Sequence, residues 1–454
     1  MQHIWAEQAL LPTGWARDVH IAIGADGRIA KVEEGALPQG LRRGILLPAP
    51  VNAHSHAFQR AMAGLTEARG SSDHDSFWSW RQLMFRFLNQ LTPEHVEAIT
   101  AFVQMEMLEA GYAAHAEFHY LHHQPGGAPY DTLAEMCDRI VAASARSGIG
   151  LCLLPVHYEF GGCDGRALSE GQLRFGNDLD RFTRLYDAAA ASLRARPADS
   201  TLGVAPHSLR AVGPGDLKRY AEHFPSGPIH MHLAEQIAEV AEVEAQWGAR
   251  PAQWVLDNIP VDARWCLIHC TQMTTQETAA LARSGAVAGL CPITESSLGD
   301  GIFDAVGWLA AGGRMAIGSD SNIRIALSEE IRTLEYSQRL RDHSRAALAT
   351  RTRSTGRRIF DVVVQGGAQA IGRDSGALSA GRVADICALD GRAVHLAGRT
   401  GDALLDTWLF AADDRLVTDV WSAGRHLVQE GRHHDREGIV AAYRRTICDL
   451  RDRL

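Results

Sequence analysis

The sequence ILLPAPVNAHSH, residues 45–56, is an apolar run that ends in two histidines, His54 and His56. In a β-strand, alternate side chains share a face, so these two imidazoles can converge on one metal ion while Ser55 points away. A lone His-x-His pair is weak support for a metal, since two polar residues at a strand end are an ordinary structural feature. Three later strand-like runs also end in residue types that bind metals. Four such strand ends in one chain predict a metal centre.

Further apolar, strand-like runs follow this stretch, and helical stretches separate them. That alternation is typical of βα units around a parallel sheet. The clearest helix start is Thr92-Pro93-Glu94, a capping residue followed by proline at the first helical position. The strand-like runs are 112–118, 149–155, 201–206, 228–233, 265–269, 286–291 and 314–318. With the run before His54 they number about eight, which predicts a (β/α)8 TIM-like barrel with its functional residues at the carboxyl ends of the strands.

The two ends of the chain differ from the middle. Short alternating segments with turn signals occur at 18–32 and return at 416–424. We therefore expect the ends to build one small β-sandwich domain together. The predicted organisation is a small composite β domain from 1–48 and 373–432, a barrel from 49–372, and a C-terminal helix from 433–454.

Composition excludes several classes of protein. A chain of 454 residues suits one barrel-sized domain with a smaller one, and its net charge of −9 at pH 7 gives no electrostatic footprint for nucleic acid or anionic membranes. No apolar run reaches membrane-spanning length. The N-terminal residues lack a basic region followed by an apolar core, so we expect no signal peptide. The eight cysteines include no Cys-x-x-Cys pair, which favours reduced thiols in a cytoplasmic protein.

The fifth strand-like run ends in IHMHLAE at 229–235. His232 would be a third imidazole ligand, whereas His230 is better explained as a packed histidine beneath the site. Glu235, three residues after His232, can carry protons beside a metal without binding it. The structural alternative for Glu235 is an acid in the first turn of a helix, where the helix dipole favours negative charge.

The sixth and eighth runs complete the candidate site. In LIHC at 267–270, His269 stands at a strand end, where it can polarise or deprotonate a water molecule. In IGSDSN at 317–322, Asp320 can bind a metal and accept a proton. Three imidazoles and a carboxylate suit Zn²⁺, which lowers the pKa of a bound water to about 7 in an open site. The predicted chemistry is hydrolytic.

These residues, in this order, resemble the amidohydrolase superfamily over nearly the whole chain. The His-x-His after strand one, the His-x-x-Glu after strand five, the histidine after strand six and the aspartate after strand eight match its single-metal deaminase branch. The stretch GALSAGRVAD at 376–385 is similar to the return into that superfamily's small β domain. The resemblance implies one Zn²⁺ per subunit, with Fe²⁺ or another divalent metal as an alternative. The expected ligands are His54, His56, His232 and Asp320, and the expected catalytic residues are Glu235, His269 and Asp320.

Three local stretches resemble the formimidoylglutamate deiminases, which hydrolyse N-formimidoyl-L-glutamate to N-formyl-L-glutamate and ammonia in histidine degradation. They are HSHAFQRAMAGL at 54–65, AEFHYLHH at 116–123 and CPITESSLGDG at 291–301. Many related aromatic deaminases carry Ser-Asn where this chain has Thr294-Glu295, a difference that favours this branch but leaves the role of Glu295 open. Ala49 and His115 depart from the family pattern. Neither is a ligand, so we expect local repacking there.

The same resemblance implies the substrate contacts, which are Gln59, Arg81, Tyr120, His207 and Arg210. The chemistry of the substrate also favours contacts from arginine. A glutamate-derived substrate brings two carboxylates, and guanidinium groups bind carboxylates bidentately. Arg81 lies among aromatic residues that could shield such a contact from water, and Arg210 lies just after strand four. Without the family pattern, each arginine would be explained more simply as a solvated surface charge.

Two other functions stay open on the sequence alone. The first is another single-zinc deaminase of this branch, acting on a guanidino or heteroaromatic substrate, although two arginines and no base-stacking motif argue against a purine. The second is a non-catalytic barrel used for interaction, but such proteins typically lose metal ligands, and every expected ligand is present here. The expected partner is a small dicarboxylate, with no nucleic acid and no membrane, and the resemblance implies a homodimer.

Overall fold

A computed structural model describes residues 1–67, 77–194 and 199–453, apart from the side chains of residues 77–79, 81 and 82. Within these ranges the strands are, in chain order, β1 (Gln2–Leu11), β2 (Gly14–Ile23), β3 (Ile29–Glu33), β4 (Leu41–Pro48), β5 (Val51–Ser55), β6 (Ala114–His119), β7 (Gly150–His157), β8 (Thr201–Leu202), β9 (Ala205–Pro206), β10 (Ile229–Leu233), β11 (Trp265–His269), β12 (Val287–Leu290), β13 (Arg314–Ile317), β14 (Ile386–Leu389), β15 (Val417–Ser422), β16 (Arg425–Gln429) and β17 (Arg432–His433).

Helices follow most of the strands in the middle of the chain. They are α1 (Phe77–Leu88), α2 (Pro93–Glu109), α3 (Glu135–Ser147), α4 (Leu179–Leu193), α5 (Pro214–His223), α6 (Ile237–Trp247), α7 (Pro251–Asn258), α8 (Thr275–Arg283), α9 (Pro292–Leu298), α10 (Ala305–Ala310), α11 (Leu327–Asp342), α12 (Thr355–Ala370), α13 (Asp402–Ala411) and α14 (Arg436–Arg451). The predicted start of α2 is confirmed, because the Thr92 side chain accepts a hydrogen bond from the backbone N–H of His95. None of the described helices combines the length and the apolarity that crossing a bilayer requires.

The strands of the middle of the chain form a parallel ring. Their order is β10-β11-β12-β13-β5-β6-β7-β8, with β9 also paired to β7. Val204 joins the two ends of this order, since its N–H donates to the Pro228 carbonyl at 3.0 Å and its carbonyl accepts from the His230 N–H at 3.0 Å. The predicted (β/α)8 barrel is therefore confirmed.

The two chain ends form a second, separate sheet. Its strand order is β17-β16-β15-β14-β4-β1-β2-β3, so the C-terminal strands form one half of the sheet, the N-terminal strands form the other, and the two halves meet where β14 pairs with β4. One face of this sheet has its own apolar core, to which Ile4, Ile21, Leu46, Ile386 and Trp421 contribute. A sheet whose distant strands share one core is curled onto itself, which is the small sandwich-like domain expected from the sequence. The domain limits at 48, 372 and 432 stay a prediction.

Candidate active site

Four polar side chains converge at the carboxyl end of the barrel. The Nε2 atom of His54 lies 3.2 Å from Nε2 of His56 and 3.1 Å from Nε2 of His232. Asp320 places Oδ1 3.2 Å from the Nε2 atoms of both His54 and His56. These are the four ligands expected from the sequence, and the structure brings all of them together in one buried cluster.

The donors of this cluster fit a metal ion. Nδ1 of His56 lies 2.8 Å from the carbonyl oxygen of Phe118, so Nδ1 carries the proton and Nε2 presents a lone pair to the cluster. Burial lowers the pKa of His54 to about 3, which keeps that imidazole neutral, the form that binds metals. Lone pairs and a carboxylate that face one another within hydrogen-bond distance repel unless a cation lies between them.

The backbone around the cluster fixes where the ligands point. The pairing of β5 with β6 shifts register between Asn52 and Ser55. On the other side of β5, the His54 carbonyl accepts from the N–H of Ser319 at 3.0 Å and of Asp320 at 2.9 Å. These backbone hydrogen bonds therefore hold the end of β5 against the segment after β13, at the residues that carry the candidate ligands.

Left-handed backbone occurs at three of the strand ends. Ala234, His269 and Asp320 have φ angles of 51°, 71° and 46°. Such angles are costly for residues with a Cβ and collect at functional sites, where the surrounding structure enforces them. They turn the chain sharply after β10, β11 and β13, and after β10 this turn directs the Glu235 side chain into the cavity.

Glu235 and His269 lie beside the cluster. Oε1 of Glu235 is 3.8 Å from Nε2 of His269, and Oδ2 of Asp320 is 4.0 Å from that same nitrogen. Burial raises the pKa of the Glu235 carboxyl, which favours a group that can carry a proton. Burial would lower the pKa of His269, but the charges of Glu235, Asp320 and Glu295 outweigh it and raise that pKa well above its usual value.

Glu235 is not an acid of the first helical turn. Helix α6 begins at Ile237, and the acid in its first turn is Glu239. The Glu239 carboxylate accepts from the backbone N–H of Ala234 at 3.2 Å and of Glu235 at 3.0 Å. Glu239 therefore caps the turn after β10 and leaves the Glu235 side chain in the cavity.

The cluster opens into a cavity at the mouth of the barrel. Its lining residues are His56, Gln59, Trp80, Met84, Tyr120, Tyr158, Phe175, His207, Arg210, His232, Glu235, His269, Leu298 and Asp320. A cavity with aromatic walls and a few convergent polar groups is typical of a small-molecule site.

Four of the five expected substrate contacts lie in that cavity. The Gln59 amide donates to the Tyr120 hydroxyl at 2.8 Å. The His207 ring lies 4.9 Å from the His232 ring, centroid to centroid. Arg210 is only 6% exposed, and the negative charges of Glu239 and neighbouring groups outweigh burial to raise its pKa. The fifth, Arg81, belongs to α1, but its side chain lies outside the described residues.

Sequence reasoning missed several residues that line or support the cavity. Tyr158 directly follows β7, so its place at a strand end was a signal that could have singled it out. Phe175 and Leu298 lie in a loop and at a helix end, and nothing in their local sequence marks them. Glu295 also went unassigned, although its Oε1 lies 3.3 Å from Nδ1 of His269.

Comparisons with known proteins show which families the sequence matches. The amidohydrolase family matches residues 45–427, and the N-terminal domain of formimidoylglutamate deiminase HutF matches residues 1–43. The chain is 48% identical to a formimidoylglutamate deiminase from Pseudomonas aeruginosa, over 100% of both chains.

Solved structures extend the comparison to the fold. The crystal structure of an amidohydrolase from Brucella melitensis is similar with a TM-score of 0.95 and 47% identity, covering 99% of this chain and 100% of that one. An adenosine deaminase from Xanthomonas campestris, solved with bound zinc, has a TM-score of 0.82 at 22% identity and covers 99% and 98% of the two chains. The second likeness concerns the fold alone.

Proposed function

Because the chain belongs to the amidohydrolase family, and within it to the formimidoylglutamate deiminases, we propose that it hydrolyses N-formimidoyl-L-glutamate to N-formyl-L-glutamate and ammonia. This reaction is a step of histidine degradation. The observation that carries the proposal is that the metal-binding cluster and the buried guanidinium of Arg210 face the same cavity. One end of the cavity can therefore act on a C–N bond while the other binds a carboxylate.

The metal is proposed to be a single Zn²⁺, with Fe²⁺ or another divalent ion as the alternative. Three imidazole nitrogens and one carboxylate oxygen form a donor set that zinc favours. When bound, the ion supplies a Lewis acid that lowers the pKa of a water molecule and polarises the substrate. Metal analysis of protein purified without added metal identifies the ion that is loaded.

The residues of the chain divide the proton transfers between them. Asp320 accepts a proton from the attacking water, which His269 polarises, and the water oxygen forms a bond to the formimidoyl carbon. Glu235 delivers a proton to the imine nitrogen as the tetrahedral intermediate forms, and a further proton transfer lets ammonia leave. The carbon keeps the water oxygen and becomes the formyl group.

Substrate orientation comes from the opposite wall of the cavity. Arg210 binds one carboxylate, and Arg81 is proposed to bind the other. Gln59 and Tyr120, which are already hydrogen-bonded to each other, offer an amide and a hydroxyl to the glutamate portion. His207 lies between these groups and the metal ligands, next to His232.

Ammonia release from N-formimidoyl-L-glutamate tests the reaction directly. We expect release by the zinc-loaded protein and its loss after treatment with a chelator. No release by protein with confirmed zinc would contradict the proposed substrate. Release from a guanidino or heteroaromatic compound instead would assign the chain to another activity of the same branch.

Replacing Glu235 with glutamine tests the proton carrier. We expect kcat to fall about 10²- to 10⁴-fold, because glutamine cannot carry the proton, while zinc content stays unchanged. Glu244→Gln is the matched control, since Glu244 is an exposed residue of α6. Full activity of the Glu235→Gln variant would contradict the role assigned to Glu235.

The cytoplasmic location and the homodimer are proposed on family grounds. The cell compartment is tested by fractionation. The mass of the zinc-loaded protein in solution, measured by light scattering, tests the dimer, and a monomer across the working concentration range would contradict it.

A further inference from the structure

A second cluster of metal-ligand residue types lies outside the active-site cavity. His119 ends β6, His122 follows three residues later, and Cys137 lies in the first turn of α3. The neighbouring side chain of Phe118 faces the active site, with its ring 5.0 Å from the His54 ring. Because side chains alternate along a strand, His119 points to the opposite side, between the barrel and its helices.

The three side chains are buried and close together. His119, His122 and Cys137 are each 1% exposed. The rings of His119 and His122 meet edge to face, with centroids 5.3 Å apart. One ligand atom from each residue lies within 4.8 Å of the other two.

Several ring nitrogens of His119 and His122 have no hydrogen-bond partner among the described residues. Within that set, neither ring nitrogen of His119 has a partner. Nε2 of His122 lies 2.9 Å from the Val156 carbonyl oxygen and therefore carries the proton, which leaves a lone pair on Nδ1, an atom without a partner in the same set of residues. Buried polar atoms are nearly always hydrogen-bonded, so lone pairs that meet beside a thiol point to a ligand that they receive.

The chemistry of the donors selects the ligand. Two neutral imidazoles and one sulfur atom suit thiophilic cations, whereas calcium and magnesium prefer oxygen ligands. Burial lowers the pKa of His119 to about 3, so this imidazole is neutral and available. Burial also raises the pKa of the Cys137 thiol, so the thiol proton leaves only when a cation replaces it.

We propose that His119, His122 and Cys137 form a second metal site, which binds a thiophilic cation of the Zn²⁺ or Cu⁺ type through two imidazole nitrogens and one thiolate sulfur. Binding forms the metal–sulfur bond and releases the thiol proton to solvent. With Zn²⁺ the site keeps one positive charge, and with Cu⁺ it becomes neutral.

This site lies directly behind a residue of the proposed substrate pocket. Tyr120 stands between His119 and His122 in the sequence, and its hydroxyl accepts the hydrogen bond from Gln59 in the cavity. A cation that joins the end of β6 to α3 therefore fixes the segment that carries Tyr120. The site itself does not depend on the proposed reaction.

Cobalt distinguishes the two sites by their ligands. The four active-site ligands contain no sulfur, so Co²⁺ bound there gives no sulfur-to-cobalt charge-transfer band in the near ultraviolet. We expect protein with a zinc-filled active site to bind one further equivalent of Co²⁺ with that band and to release one proton. Absence of both the band and the additional equivalent would overturn the proposal.

Variants locate the sulfur that produces the band. We expect Cys137→Ala and His119→Gln to abolish the band and the additional equivalent. The matched control is Cys387→Ala, which removes a buried thiol of the small sheet. Cys291→Ala tests whether the band comes from Cys291 instead, since the Cys291 sulfur lies near His269 and Asp320. A band that survives Cys137→Ala, or one that disappears in Cys291→Ala, would overturn the proposal.

Separate titrations with Zn²⁺ and with Cu⁺ identify the ion. We expect the preferred ion to raise the Tm of the wild-type protein and to leave the Tm of Cys137→Ala unchanged, because a ligand that binds only the folded state stabilises it. An equal rise in both proteins would place the binding elsewhere. If Cys137→Ala fails to fold, His122→Asn serves for the same comparison.

Discussion

Glu295 is the residue whose role the structure changes most. Its Oε1 lies 3.3 Å from Nδ1 of His269 and accepts the Cys291 N–H at 2.8 Å, so it orients the imidazole from behind. We predict that Glu295→Gln lowers kcat about 10- to 100-fold, the usual effect of losing a supporting contact, while KM changes little. Steady-state kinetics at matched zinc content measures both constants.

A control separates this effect from a general loss of charge. Glu222→Gln removes an exposed carboxylate of α5 that does not line the cavity, and it should leave both constants unchanged. An unchanged kcat in Glu295→Gln would show that His269 needs no partner on Nδ1. A rise in KM alone would indicate that Glu295 contacts the substrate instead.

Arg210 is the buried cation that best explains recognition of an acidic substrate. Among the described residues its Nε has no partner, so part of the guanidinium is available to a ligand. We predict that Arg210→Met raises KM about 10- to 100-fold, because a hydrogen bond to a charged group contributes about 1.5–3 kcal/mol. Arg210→Lys should recover only part of the affinity, since lysine keeps the charge but loses the planar fork. An unchanged KM in both variants would contradict the contact.

At the residue scale, the sequence predicts the candidate metal ligands better than it predicts the residues that hold the site in place. The sequence predicts His54, His56, His232 and Asp320 because functional residues of a barrel lie at strand ends, and strand ends can be read from apolar runs; the structure brings these four residues together. Glu239 and Glu295 act through contacts that the chain makes only after folding. No local pattern reports such contacts, so their roles needed the structure.

At the scale of elements, a buried polar chain connects β5 to the turn after β13. The Asn52 amide donates to the Ser319 hydroxyl at 2.6 Å, that hydroxyl donates to Oδ1 of Asn322 at 2.6 Å, and the Asn322 amide donates to the Ser55 hydroxyl at 3.2 Å. Two of the proposed metal ligands, His54 and Asp320, lie between these residues in the sequence.

We predict that Asn322→Ala destabilises the contact between β5 and the turn after β13. The variant loses three buried hydrogen bonds, to Ser319, Ser55 and the Asp320 carbonyl, and places alanine at a φ of 55°, so its free energy of unfolding should fall by about 1–3 kcal/mol. Competition with a chelator should also show weaker zinc binding. Asn258→Ala, at the end of α7, is the control for stability without an effect on zinc. Unchanged zinc affinity in Asn322→Ala would mean that the network does not position the ligands.

The fourth strand position differs in one detail from the prediction. The sequence predicts one strand at 201–206, but the structure has two short strands, β8 and β9, that pair with β7 on either side of Gly203. A Cβ on Gly203 would lie 2.7 Å from the Pro228 carbonyl oxygen. Close approach of the neighbouring backbone interrupts the strand, and this cause lies outside the run itself.

At the scale of the whole molecule, ion pairs join the barrel to the small sheet. Arg373, after α12, binds both oxygens of Asp385 at 2.6 Å and 2.8 Å, and it also lies 3.2 Å from Oδ2 of Asp199, which precedes β8. Arg425 of β16 binds the same Asp199 carboxylate at 2.7 Å. Arg373 and Asp385 are 7% and 2% exposed, so each buried charge is stabilised by the opposite charge beside it.

We predict that Arg373→Met lowers the free energy of unfolding by about 3–5 kcal/mol, because it leaves a buried carboxylate unpaired. Urea unfolding measures the loss. The control is Arg382→Met, whose partner Asp374 is about half exposed like Arg382 itself, and a surface pair contributes only about 0–1 kcal/mol. Equal losses in the two variants would show that burial does not matter here.

The pH dependence of the stability difference between the wild-type protein and Arg373→Met tests whether the charge of Asp199 contributes to that difference. Burial raises the pKa of Asp199, but the hydrogen bond from Arg425 and the charges of Arg373 and Arg425 outweigh it, so this pKa is lowered in the folded protein. A lowered folded pKa stabilises the protein at pH values above the unfolded pKa of about 3.9, and the stabilisation is lost as pH falls through the folded value. The stability difference between the wild-type protein and Arg373→Met should therefore be largest near neutral pH and should shrink below pH of about 4. A difference that stays constant across that range would mean that Arg373 contributes by packing rather than by charge.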